Sequence, residues 1–114
     1  MDSSQAPSSR AIHEVNYSLE IRPDALTDIE EAASWYEERE AGLGTDFVKI
    51  ILAAIDRLLV NPLVHRLRDR RRNVRWILTS RFPYKVVYKI QDQLVTVVAV
   101  LHTARHERRW KQRV

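Results

Sequence analysis

The chain has 114 residues and a formal net charge of +4, enough for one core and too short for a second, and no apolar run approaches the roughly 20 residues of a membrane-spanning helix. It has no cysteine and only two glycines, Gly42 and Gly44, which excludes disulfide scaffolds, thiol nucleophiles, Cys-based zinc sites and glycine-rich phosphate loops. The charge is split, with 5 Lys/Arg against 12 Asp/Glu in residues 1–60 and 14 against 3 in residues 61–114, and a basic half of this kind points to an anionic partner.

Residues 1–14 are rich in Ser, Ala and Pro, show no periodicity and lack the apolar stretch of a secretory signal. They are expected to form a disordered tail ahead of a single domain over 15–114. Tyr17 to Ile21 alternates apolar and polar residues, as a short half-buried strand does. Arg22-Pro23-Asp24 marks a helix start, since proline presets φ and aspartate favours the positive end of a helix. Ala25/Leu26, Ile29, Ala32/Ala33 and Tyr36 recur every three to four residues. They predict an amphipathic helix to about Arg39, with Glu30, Glu31, Glu37 and Glu38 on its outer side. Gly42-Leu43-Gly44 breaks it. A second stripe of Phe47, Ile50/Ile51, Ala54/Ile55 and Leu58/Leu59 runs to the stop at Asn61-Pro62. So short a connection makes the two helices an antiparallel hairpin.

After an arginine-rich loop the period becomes two. Val74, Trp76 and Leu78 alternate with Arg75 and Thr79, and Tyr84, Val86 and Tyr88 alternate with Lys85, Val87 and Lys89. Leu94 to Leu101 is apolar on both faces apart from Thr96, as a strand inside a sheet should be. The predicted order is β-α-α-β-β-β, an α+β fold in which an antiparallel sheet carries an N-terminal helical hairpin packed on one face. A two-residue turn at Gln91-Asp92 pairs Tyr84, Val86 and Tyr88 with Ala99, Val97 and Val95 on the helix-covered face. It leaves Lys85, Val87 and Lys89 opposite Val98, Thr96 and Leu94 on the other face, and brings His102 beside Arg81 with Lys85 near.

The order of elements, Trp35-Tyr36-Glu37, Gly42-Leu43-Gly44 before Phe47, Asn61-Pro62, Phe82-Pro83-Tyr84 with Tyr88, and His102-x-x-Arg105 before Trp110 together resemble the RelE/ParE toxin superfamily over residues 15–113. The long helical hairpin and the Phe-Pro-Tyr strand resemble the ParE branch more closely. The resemblance implies a cytoplasmic growth-arrest toxin of a type II toxin–antitoxin, or plasmid-stabilisation, module, silenced by a cognate antitoxin that wraps it with a helix and an extended segment. ParE-like members poison DNA gyrase without known catalytic residues. RelE-like members are ribosome-dependent mRNA endoribonucleases. A third reading is a binding module that keeps the fold without toxicity.

For RNA cleavage, attack by a 2′-hydroxyl needs a base, an acid and positive charge on the transition state. His102 titrates in the right range, Arg81 and Arg105 can hold the phosphate, and Lys85 adds a point charge. The alternative is that His102 caps a strand end while the cations form a solvated or antitoxin-contacting face; Glu107 is the only nearby acid. Arg66, Arg68, Arg70, Arg71, Arg72 and Arg75 form the densest charge, able to track phosphates, engage an acidic antitoxin segment, or simply stay solvated. In the tail, Arg109 adds charge, and Trp110 either stacks on a nucleotide or packs under the sheet. Trp35 and Tyr36 are expected to lock the helical hairpin, and His65 to lie in solvent. The four histidines lack zinc-ligand spacing, so neither a metal nor a cofactor is expected. The sequence leaves the state of homo-oligomerisation open.

Overall fold

The computed structural model describes residues 16–104 and 108–114; the expected tail and Arg105 lie outside the described residues. β1 (Ser18–Ile21) leads into α1 (Pro23–Arg39) at the proline, and α2 (Leu43–Val60) follows. Gly42 takes φ of 89° at the break, a conformation that glycine adopts without steric cost. Gly44 permits the close crossing of the helices, because a Cβ there would meet the Ala33 carbonyl oxygen at 2.5 Å. The Glu37 carboxylate ties the connection together, accepting the N–H groups of Gly42 and Gly44 at 2.9 Å each. Those bonds hold its pKa below the ordinary carboxylate value.

The strands β2 (Leu67–Asp69), β3 (Val74–Leu78), β4 (Tyr84–Gln91) and β5 (Leu94–His102) and the short α3 (Arg108–Lys111) complete the chain. The predicted α+β architecture is present, with one difference of topology. The sheet is mixed, in the order β1-β5-β4-β3-β2, because β1 adds parallel to β5 rather than antiparallel. Two elements were not anticipated: β2, hidden in the arginine-rich segment, and α3. No helix among the described residues is long and apolar enough to cross a membrane.

The hairpin register differs from the predicted one. The turn is Asp92-Gln93, Gln91 pairs with Leu94, and Asp92 takes φ of 56°, which aspartate tolerates better than most residues. A bulge at Val87/Tyr88 shifts the ladder again, so Val86 faces Val100 and Tyr84 faces His102. Tyr84, Val86 and Tyr88 do lie under the helices, packed with Val95, Val97, Val100, Phe47, Ile51 and Leu58. Ala99 moves to the opposite face. There Val74, Val87, Val98 and Leu101 form a second apolar layer closed by Trp110. Burial of Tyr88 pushes its pKa up to about 12, and its hydroxyl donates to the Pro62 carbonyl at 2.6 Å.

Candidate functional site

β1 ends at Ile21, and Arg22 donates its N–H to the Val97 carbonyl. Among the described residues, β5 therefore has no strand along that edge from Val98 onward. Asp28 of α1 fills the gap by accepting the Val100 N–H at 3.0 Å, while Arg113 donates to the Val98 carbonyl at 2.9 Å. The two side chains join through Arg113 Nη1 to Asp28 Oδ2 at 2.7 Å and Nη2 to Oδ1 at 3.2 Å. This fork holds the guanidinium pKa above its ordinary value and fixes the C-terminal segment across the bulge.

Beside this clamp runs a groove of about 550 Å³, lined by Asp28, Glu31, Tyr36, Tyr84, His102 and Arg109 among others. Strand alternation turns the Val100 carbonyl and the His102 N–H toward the same edge. Trp35 stands at the rim, 51% exposed, with the Arg39 guanidinium 3.5 Å from its ring centre. A shallower hollow on its far side is bordered by Glu30, Glu31, Ser34 and Glu38. Tyr36 instead joins a packed aromatic group with Phe47, Phe82 and Tyr84, at centroid separations of 5.3, 4.8 and 6.2 Å. Of the Trp35-Tyr36 pair, then, Tyr36 locks the hairpin and Trp35 looks outward.

The residues considered for phosphate chemistry point in different directions. Arg81, at φ of 68°, reaches Asp46 of α2 at 3.6 Å. His102 lies against the Tyr84 ring at 5.5 Å, and its Nδ1 accepts the Ala104 N–H. Lys85 is buried on the other face of the sheet, its amine 4.2 Å from the Trp76 ring centre. The expected approach of Lys85 to His102 is thus corrected, because adjacent positions on a strand point to opposite faces. Trp110 is 1% exposed and 6.2 Å from Trp76, so its ring closes the outer layer and is not presented to a partner. Arg109 is exposed beside it. His65 is half-buried and edge-on to Tyr88 rather than in open solvent; burial, with Arg57 and Arg75 nearby, lowers its pKa.

The remaining arginines surround the β2–β3 hairpin. Arg68 lies over Trp76 at 4.3 Å, Arg72 pairs with Asp69 at 2.7 Å, and Arg75 donates to the His65 carbonyl and to Asn73 Oδ1. Arg70 and Arg71 are exposed at the tip and Arg66 at the base. Sequence reasoning missed the Asp28–Arg113 clamp and the groove. Their only local signal is an acid at the border of the apolar stripe of α1.

The domain is thus a helical hairpin on a five-stranded mixed sheet, with a strand edge lined by α1 and the C-terminal segment. A solved structure described as the chromosomal ParDE TA system from P. aeruginosa has this fold, with a TM-score of 0.65 and 16% identity over 76% of this chain and 96% of that one. Residues 19–107 match the family model of the ParE toxin of the type II toxin–antitoxin system, parDE, and the chain belongs to that family. No curated protein matches it in sequence.

Proposed function

We propose that this ParE-family toxin is held inactive in the cytoplasm by a cognate antitoxin, and that when released it arrests growth by binding and inhibiting DNA gyrase, cutting no bond itself. The observation that carries this reading is the dispersal of the phosphate-handling side chains. Arg81 is turned to Asp46, Lys85 is sunk against Trp76, and His102 is set on Tyr84. In-line cleavage of RNA needs its base, acid and charge-stabilising groups around one phosphate, so their separation favours surface binding over catalysis.

The antitoxin segment fits the groove beside β5. An extended chain can use the strand edge for main-chain hydrogen bonds while Trp35 supplies an apolar anchor and Glu31 selects a basic side chain. The similarity to a structure described as a ParDE system supports such a partner.

A purified gyrase supercoiling assay tests the mechanism. Inhibition by the chain, reversed by its antitoxin and accompanied by undisturbed translation in a cell-free extract, is the expected result. Full supercoiling at saturating chain overturns the reading. Cuts in translated mRNA that vanish in Arg81→Ala or His102→Ala establish the nuclease instead.

A further inference from the structure

The groove leaves the densest charge of the molecule unused. Of seven residues from Arg66 to Arg72, five are arginine and one, Asp69, is acidic. The structure shows that this segment is not a slack loop. Leu67 pairs with Arg75 and Asp69 with Val74, which makes a two-stranded ribbon at the outer edge of the sheet. The Asp69 carboxylate closes its turn, accepting the Arg72 N–H at 3.1 Å and the Arg72 guanidinium at 2.7 Å. Arg75 braces the base through the His65 carbonyl and Asn73. Among the described residues, the guanidinium groups of Arg66, Arg70 and Arg71 have no hydrogen-bond or ion-pair partner.

We propose that the β2–β3 hairpin is a contact surface for the phosphate backbone of duplex DNA, independent of base sequence. Three features favour this ligand over other anions. A ribbon whose strands lie about 4.8 Å apart fits a major groove about 12 Å wide, and a fixed turn presents its guanidinium groups with little further loss of entropy. Single-stranded nucleic acid is gripped by aromatic platforms, and the aromatic ring nearest the hairpin, Trp76, already carries Arg68 and Lys85. An acidic protein segment calls for apolar anchors at the centre of its interface; Leu67 is half-buried in the fold, and the exposed Leu63, Val64 and Leu78 lie outside the paired residues 67–75 of the ribbon. The acidic outer side of α1 repels the same polyanion, so a duplex approaches by the hairpin edge.

The test measures binding of the full-length chain to a mixed-sequence DNA duplex across a salt series. With four guanidinium groups engaged, Arg66, Arg68, Arg70 and Arg71, the slope of log K against log salt is about −3.5, a loss of roughly 100-fold between 50 and 200 mM. Arg70→Gln/Arg71→Gln should flatten that slope by about 2. Arg39→Gln/Lys49→Gln removes equal charge from the helical hairpin and should leave the slope near the wild-type value. Thermal melts of both variants establish that they are folded. A similar loss in both pairs means that net charge alone attracts DNA, and it overturns the proposal. Tighter binding to polyglutamate than to DNA, or a preference for duplex RNA, also overturns it. The assay contains neither gyrase nor antitoxin, so its failure is distinct from failure of the gyrase mechanism.

Discussion

Asp28→Asn isolates the clamp at the end of the sheet. The asparagine keeps an oxygen for the Val100 N–H but removes the charge facing Arg113 and turns the acceptor of its Nη2 into a donor; the Arg113 side chain is 17% exposed against 12% for Asp28. At 2.7 Å and an effective dielectric constant of about 20, the attraction is about 6 kcal/mol before desolvation. Breaking a fully buried pair from one side costs about 3–5 kcal/mol, because the other charge is stranded. The residual exposure of both groups, and the Asp24 carboxylate that remains 3.6 Å from Arg113 Nε, place this one below that range, at about 2 kcal/mol, which for a domain of this size lowers Tm by about 8–10 °C. Urea and thermal denaturation at pH 7 measure the loss. Asp28→Asn/Arg113→Met provides the second arm, since a methionine keeps the apolar stem and removes the stranded charge. The double variant should recover at least about 1 kcal/mol relative to Asp28→Asn. A single variant within about 0.5 kcal/mol of wild type, or strictly additive losses, would refute the reasoning.

Two further perturbations test the packing around the helical hairpin. Gly44→Ala sets a Cβ 2.5 Å from the Ala33 carbonyl oxygen; strain of about 1–3 kcal/mol exceeds the gain in helix propensity of about 1 kcal/mol, so Tm should fall, and a rise in Tm contradicts the close crossing. Tyr88→Phe strands the Pro62 carbonyl at a cost of about 1 kcal/mol at pH 8. With the folded Tyr88 pKa at about 12, the tyrosine's contribution is fully present below its unfolded value near 10 and is lost as pH rises toward 12. The wild-type advantage over Tyr88→Phe in chemical denaturation should therefore shrink by about 1 kcal/mol between pH 8 and pH 11; a constant gap refutes it.

Local chemistry made the helices legible. Pro23 starts α1 where the sequence puts it, and the helix ends at Arg39 with Glu40 extended, two residues before Gly42, whose positive φ opens α2. The strands were legible from alternation, and so was the face that the helices cover. The register was not. Ile90-Gln91-Asp92-Gln93-Leu94 contains no glycine to mark the turn, and the bulge near Val98 is stabilised by Asp28 and Arg113, far away in sequence. Moving the turn by one residue leaves every face unchanged; it is the bulge that sets His102 opposite Tyr84 and so on the face away from Lys85. β2 escaped notice because its three residues are read as charge before they are read as a strand, and its pairing depends on β3. The groove depends on where β1 stops along β5, a property of two segments that meet only in the folded chain.

The parallel union of β1 and β5 also bears on when the molecule comes into being. Ser18 rests beside Leu94 and Ile21 beside Val97, so the outermost pairing waits for nearly the last strand to be synthesised. Until then α1 and α2 are an apolar hairpin whose cover has not been made, and contacts so distant in sequence form slowly because a long loop must close first. A nascent chain stopped before Leu94 lacks both the core layer and the edge that borders the groove. The groove is therefore absent while the chain is being made and forms in one late step, a delay written into the order of its strands.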